Sequence, residues 1–283
     1  MTDKYAVIGN PVEHSFSPLI HAEFARAAGQ DIAYGRILAT LDGFRTAALE
    51  FRDTGGRGLN VTLPFKHEAW RLADARVGYA QAAGAVNTLE FEGGRIAGHN
   101  TDGIGLVRDL VENLGCPVGG RRVLLAGAGG ASYGVMEPLL RERPAMLVVA
   151  NRTPEKAASL VGHFEKLSAS LGIRSLAWLS YDRLQSDHFD IVINATSAGL
   201  ADAMPPLPGG VFAPGALAYD MVYGRRTPFM RFAADCGARA VGGLGMLVEQ
   251  AAESFRIWRG VRPATKRVID WLRREGGELR AEG

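Results

Sequence analysis

The chain has 283 residues, 47% of them hydrophobic and 22% charged, an ordinary globular composition that excludes disorder, collagen and coiled coil. At roughly 100–200 residues per domain, this length suits one large or two modest domains. Lysine plus arginine number 32 and aspartate plus glutamate 30, a net charge of +2 with both signs interspersed, which argues against a nucleic-acid binder.

The chain opens MTDKYAVIGN, with no basic region followed by a long apolar run, and no apolar span reaches membrane length, so it reads as a soluble cytoplasmic protein. Apolar runs predict strands over 5–8, 33–38 and 58–62. Helices are expected over 18–28, with Ser17 as N-cap and Pro18 at the first position, over 41–52, and over 65–72 after Pro64 stops the third strand. Residues 86–91 and 95–98, separated by Glu92-Gly93-Gly94, predict a hairpin. Periodicity predicts a helix over 102–113. After Gly119-Gly120 a second β-α series begins, with strands over 122–126, 146–150, 175–179, 191–194 and 217–221 and helices over 131–141 and 154–168. The segment 201–214 holds four of the 13 prolines and reads as an ordered turn region. Two amphipathic helices, over 245–259 and 264–275, close the chain. The fold class is α/β in two domains, the second doubly wound like a dinucleotide-binding domain.

Glycine is abundant at 36 residues and clusters in motifs. In Arg122-Val-Leu-Leu-Ala-Gly127-Ala128-Gly129-Gly130-Ala131-Ser132, a strand, a tight glycine turn and a helix start follow one another. Gly127 suits the turn, and Gly129 lets helix N-terminal amides approach a pyrophosphate. Where an NAD site places an acid at the next strand end, this chain has Asn151-Arg152-Thr153, with Lys156 on the following helix. A guanidinium there suits a 2′-phosphate, so the cofactor expected is NADP. The cysteines, Cys116 and Cys236, form no CxxC pair and read as small core residues in a reduced compartment. His14, His21, His67 and His99 show no metal spacing and read as solvated or capping groups.

Three polar motifs lie in the first domain. Ser15 and Ser17 sit at a helix start, where hydroxyls can bind a small carboxylate, although Ser17 could simply cap the helix. Asn60-Val61-Thr62-Leu63-Pro64-Phe65-Lys66 delivers Thr62 and Lys66 from a strand end to a helix head, a place that suits an amine acting as proton acceptor. Asn87, in Gly84-Ala-Val-Asn87-Thr88, offers donor and acceptor, and Asp102 could cap its helix or pair with Lys66.

The set HSFSP, NVTLPFK, GAVNT, NTDG, GAGGAS, NRT, NATSAG, YDMVY and GLGMLVEQA, in this order from Tyr5 to Gly260, resembles the shikimate dehydrogenase family. The resemblance implies reversible NADP-linked reduction of 3-dehydroshikimate to shikimate, a step towards aromatic amino acids. It implies a substrate domain of residues 1–103 plus 242–283, with the terminal helices returning to it, an inserted NADP domain of residues 104–241, and substrate in the cleft. It implies Ser15 and Ser17 on the substrate carboxylate, and Thr62, Lys66, Asn87, Asp102, Tyr223 and Gln250 on the ring hydroxyls. Lys66 is the implied acid/base and Asp102 its partner. Gly127, Ala128, Gly129, Gly130, Ala131, Asn151, Arg152, Thr153, Lys156, Met221 and Gly243 match cofactor positions; no metal is implied. The chain departs from the family pattern at Tyr133, where arginine is common, at His99, where an acid often stands, and over 75–78. A quinate/shikimate dehydrogenase using NAD, a paralogue acting on a relative of shikimate, and a non-catalytic dinucleotide-binding redox sensor are the competing readings. Partners are limited to the small-molecule substrate, with monomer or homodimer left open.

Overall fold

The computed structural model describes residues 2–186, 188–198 and 202–275. The chain divides into two compact units, Met1–Gly105 with Val248–Gly283, and Leu106–Leu247.

The first unit opens β1 (Asp3–Gly9), α1 (Ser17–Ala28), β2 (Ile32–Leu38), α2 (Phe44–Asp53), β3 (Gly56–Val61) and α3 (Lys66–Leu72). It continues with β4 (Ala75–Val77), α4 (Tyr79–Ala83), β5 (Thr88–Glu92), β6 (Arg95–His99) and the start of α5 (Asp102–Arg108). Its six strands lie in the order β2-β1-β3-β5-β6-β4. β1 runs parallel to both β2 and β3, whereas β5 is antiparallel to β3 and β6. The central β1 is buried from Tyr5 to Gly9, as expected for a strand covered on both faces, whose sequence reads as a continuous apolar run. Ile8, Leu59 and Leu89 of three neighbouring strands pack with Phe44 and Phe65, whose rings stack at 5.2 Å. Burial of such side chains contributes roughly 1.5–3 kcal/mol each.

In the second unit α5 continues as a wider π-helical turn, Asp109–Asn113. Then come β7 (Arg122–Ala126), α6 (Gly130–Arg141), β8 (Met146–Ala150), α7 (Pro154–Ser170), β9 (Leu176–Leu179) and β10 (Phe189–Asn194). β11 (Phe212–Asp220), α8 (Pro228–Asp235), β12 (Arg239–Gly242) and α9 (Leu244–Arg259) follow. The last helix, α10 (Lys266–Glu275), belongs with most of α9 to the first unit. The strands of the second sheet are all parallel, in the order β12-β11-β10-β7-β8-β9. This is the doubly wound dinucleotide-binding order, and its direction reverses between β7 and β10, where such sheets bind ligands outside the strand carboxyl ends. Among the described residues no helix is long and apolar enough to cross a membrane.

The structure amends several expectations. Ser17 is the first residue of α1 rather than its cap: Phe16 holds that position and no side chain caps the helix. The 102–113 helix changes from α to π geometry at Asp109, whose buried carboxylate takes hydrogen bonds from Tyr219 at 2.7 Å and Asn113 at 3.1 Å. β11 begins at Phe212, inside the expected turn region, of which residue 201 lies outside the described residues. Cys116 and Cys236 are free and half-buried rather than core. His21 is neither solvated nor capping: it is fully buried and stacks on Tyr34 at 4.2 Å.

Candidate active site

The first unit gathers four of the expected site residues into one hydrogen-bonded cluster. β3 ends at Val61, the chain turns through Thr62 and Pro64, and α3 begins with Lys66. α5 begins with Asp102, directly after the strand β6 and the Asn100-Thr101 link. Lys66 Nζ donates to Asp102 Oδ2 at 2.6 Å. The side chains are 24% and 11% exposed, enough for the amine to meet a ligand while the pair stays shielded from bulk water. Asn87 Nδ2 donates to the other carboxylate oxygen, Asp102 Oδ1, at 2.8 Å, and also approaches Thr101 Oγ1 at 2.9 Å and Gln250 Oε1 at 3.3 Å. The main-chain N–H of Thr101 donates to Asn87 Oδ1 at 2.9 Å and thereby fixes which way the Asn87 amide points. Asn100 holds the same corner: its Oδ1 accepts from the Asp102 N–H at 3.1 Å and its Nδ2 donates to the Ala85 carbonyl at 3.0 Å.

Ser15, Ser17 and Thr62 lie outside that cluster. The Ser17 N–H donates to Ser15 Oγ at 3.3 Å, so the loop before α1 turns the Ser15 hydroxyl to the helix start. Ser17 is buried near the phenol of Tyr34, whose pKa burial pushes well up, a shift the Ser17 side chain opposes. Tyr34 in turn donates to Asn60 Oδ1 at 2.7 Å. Asn60 Nδ2 reaches Ser254 Oγ at 2.9 Å and Thr88 Oγ1 at 3.2 Å, and Thr88 donates to Asn87 Oδ1 at 3.0 Å. A continuous hydrogen-bonded chain thus runs from Tyr34 to Lys66. Thr62 is half-buried, with its main-chain N–H bonded to the Ile8 carbonyl at 3.0 Å.

Sequence reasoning missed the interior links Tyr34, Asn60, Thr88, Thr101 and Ser254. Asn60, Thr88 and Thr101 stand inside the motifs NVTLPFK, GAVNT and NTDG, which signal them; Tyr34 and Ser254 carry no such signal. The departure at His99 sets an imidazole 3.4 Å from the Glu90 carboxylate, with burial lowering its pKa and Glu90 opposing that shift.

The second unit holds the remaining expected residues. Gly127 ends the β7 turn with φ +114°, and a Cβ there would sit 3.1 Å from the Ala195 carbonyl carbon, so only glycine fits. Ser132 is fully buried and donates to the Gly127 carbonyl at 2.9 Å, taking the small-residue place in the fingerprint. Ala128 is buried, Gly129 and Gly130 are exposed, Ala131 is half-buried, and a Cβ at Gly129 would meet nothing within 4 Å. Open space therefore lies beside Gly129 at the start of the 12-residue α6, where a pyrophosphate would meet helix N-terminal amides. Asn151 Nδ2 donates to the Thr153 carbonyl at 2.9 Å and shapes the turn after β8. That turn presents Arg152, and α7 presents Lys156; both are exposed and make no side-chain hydrogen bond or ion pair among the described residues. These groups fit a dinucleotide with a 2′-phosphate. Tyr133 sets its ring edge-on to His163 of α7 at 5.5 Å.

Met221 and Gly243 meet backbone to backbone: a Cβ on Gly243 would lie 2.5 Å from the Met221 carbonyl oxygen. The Met221 N–H donates to the Asn194 carbonyl at 3.0 Å, which ties the ends of β10 and β11 together. Asp220 accepts from Val222 N at 3.0 Å and from the Thr227 hydroxyl, while burial pushes its carboxyl pKa up. Tyr223 follows on the same loop, half-buried, its phenol pKa also raised by burial.

Three family models match the chain: the shikimate dehydrogenase substrate binding domain over residues 7–89, shikimate / quinate 5-dehydrogenase over 109–201, and the shikimate 5′-dehydrogenase C-terminal domain over 243–271. Shikimate dehydrogenase (NADP(+)) of Chromobacterium violaceum is 55% identical over 275 residues, 96% of this chain and 98% of that protein. The crystal structure of an Ael1 enzyme from Pseudomonas putida matches with a TM-score of 0.90 at 50% identity, covering 96% of this chain and 98% of that one. The shikimate 5-dehydrogenase of Thermus thermophilus, solved in complex with NADP(H) and shikimate, matches with a TM-score of 0.85 at 33% identity, over 96% of this chain and 99% of the other. The chain belongs to the shikimate dehydrogenase family.

Proposed function

We propose that this protein is an NADP-dependent oxidoreductase that interconverts shikimate and 3-dehydroshikimate, a step in making aromatic amino acids. The observation that carries this reading is the Lys66–Asp102 pair, joined to the Asn87 and Gln250 amides in a half-buried site of the first unit. In the oxidation direction Lys66 Nζ takes the proton of the reacting hydroxyl, and in reduction it returns one. Asp102 holds the amine in place, and its second oxygen is held by Asn87. Positioned acid–base help of this kind is worth roughly 10²–10⁴-fold in rate. Ser15 and Ser17 bind the substrate carboxylate at the α1 N-terminus, where backbone amides favour an anion. Thr62, Asn87 and Gln250 bind ring hydroxyls.

The first unit carries substrate binding and the second carries cofactor binding. NADP, when bound, supplies the hydride acceptor. Gly127, Ala128, Gly129, Gly130 and Ala131 form the pyrophosphate turn, Arg152 and Lys156 hold the 2′-phosphate, Asn151 and Thr153 shape that loop, and Met221 and Gly243 border the other half of the dinucleotide.

The test is a spectrophotometric panel of shikimate, quinate and an amino analogue against NAD and NADP, read at 340 nm. Shikimate with NADP should give the highest kcat/KM. Preference for quinate or for NAD would replace this reading with the quinate/shikimate one, and no turnover in any arm would favour a redox-sensing binding module.

A further inference from the structure

Ser254 lies on α9 one turn after Gln250 and is fully buried. Its hydroxyl donates to the Gln250 carbonyl at 3.0 Å. Alone, that back-bond is a local habit of serine in helices. The other partners of the same oxygen are not local. Asn60 Nδ2 lies 2.9 Å away and Thr88 Oγ1 2.8 Å away, from β3 and β5, and Thr101 Oγ1 lies at 3.4 Å. A hydroxyl has one proton and two lone pairs. With the proton on the Gln250 carbonyl, one lone pair receives the Asn60 N–H and the other faces the threonine hydroxyls, accepting from Thr88 whenever that group is not donating to Asn87 Oδ1. Thr101 also stands 3.3 Å from both Asn87 Oδ1 and Gln250 Oε1.

We propose that Ser254 is a positioning residue for the substrate. It pins the turn of α9 that carries Gln250 against Asn60 and Thr88, so that the Asn87 and Gln250 amides keep one arrangement toward a polyhydroxylated carboxylic acid. A buried network with every member satisfied is rigid, and removing one member frees its neighbours to re-pair. This inference rests on the shikimate reading above and adds to it a residue that touches no substrate.

The experiment compares Ser254→Thr with Ser254→Val, which have equal shape and differ only in the hydroxyl, alongside Ser254→Ala. Steady-state kinetics and melting temperature are measured for each. Loss of the hydroxyl in the Val and Ala variants should raise KM for shikimate about 3–10-fold, the range for one lost buried hydrogen bond. KM for NADP should stay constant and kcat should change less, with the Thr variant closer to wild type than the Val variant. Equal KM shifts in Thr and Val, or an Ala variant with unshifted KM, would overturn the proposal. So would parallel changes in both KM values and in Tm, which mark general loosening. If the larger side chains prevent folding, the Ala variant decides alone. Wild-type protein that fails to turn over shikimate removes the substrate reading itself, a result separate from an unshifted Ala variant of an active enzyme.

Discussion

Lys66 Nζ lies 2.6 Å from Asp102 Oδ2, across 36 positions of sequence, with Asn87 holding the second carboxylate oxygen. The pair is positioned from two helix starts, and its geometry gives Asp102 a role separate from helix capping. Asp102→Asn keeps the shape and removes the charge. We expect kcat/KM for shikimate to fall about 10²-fold, at the lower end of the acid–base range, with KM for NADP little changed. Steady-state kinetics checks this, and an undiminished kcat/KM would leave Asp102 with a structural role only.

Arg152 is exposed at the end of the turn after β8, with Lys156 one helical turn on. A charge-assisted hydrogen bond to a phosphate contributes about 1.5–3 kcal/mol. Arg152→Ala should therefore weaken NADP about 10–100-fold and leave NAD nearly unchanged. Fluorescence titration with both dinucleotides measures the two affinities. Equal losses would remove the 2′-phosphate assignment.

His21 makes the protein acid-sensitive. It is fully buried among Tyr34, Phe24, Phe255 and Trp258. Burial lowers its pKa from 6.5 to about 3, opposed by the neighbouring Asn60 side chain. Between those values the unfolded chain binds a proton that the folded chain excludes, so stability rises with pH across this window. The contribution is fully present above pH 6.5 and is lost as pH falls towards 3, by up to about 1.4 kcal/mol per pH unit. Urea midpoints at pH 7.5 and pH 4.5 should differ less in His21→Phe than in wild type. An identical difference in both proteins would contradict the buried neutral imidazole.

Much of the second unit was legible because buried parallel strands read as unbroken apolar runs: β7 and β8 begin and end where the sequence placed them. The short β4, α4 and β12 escaped notice because three to five residues of mixed polarity carry no period. α8 was missed despite a usable signal: Thr227 caps it, accepting from Met230 N, and Pro228 opens it. In the site, Lys66, Asn87 and Asp102 stood in recognisable motifs. Ser254 and Tyr34 did not, because their roles come from tertiary partners such as Asn60, 194 positions from Ser254. A serine in a helix and a tyrosine in a strand look ordinary until folding brings those partners together.

The acid–base role of Lys66 is tested most directly by NADPH formation at 340 nm with saturating shikimate and NADP, wild type against Lys66→Ala. We expect kcat to fall by about 10²–10⁴-fold. KM for shikimate should change only modestly, because in the proposed reading the ring and carboxylate are bound by Asn87, Gln250 and the paired serines. A variant with unaltered kcat would contradict the assignment of Lys66 as the group that carries the proton.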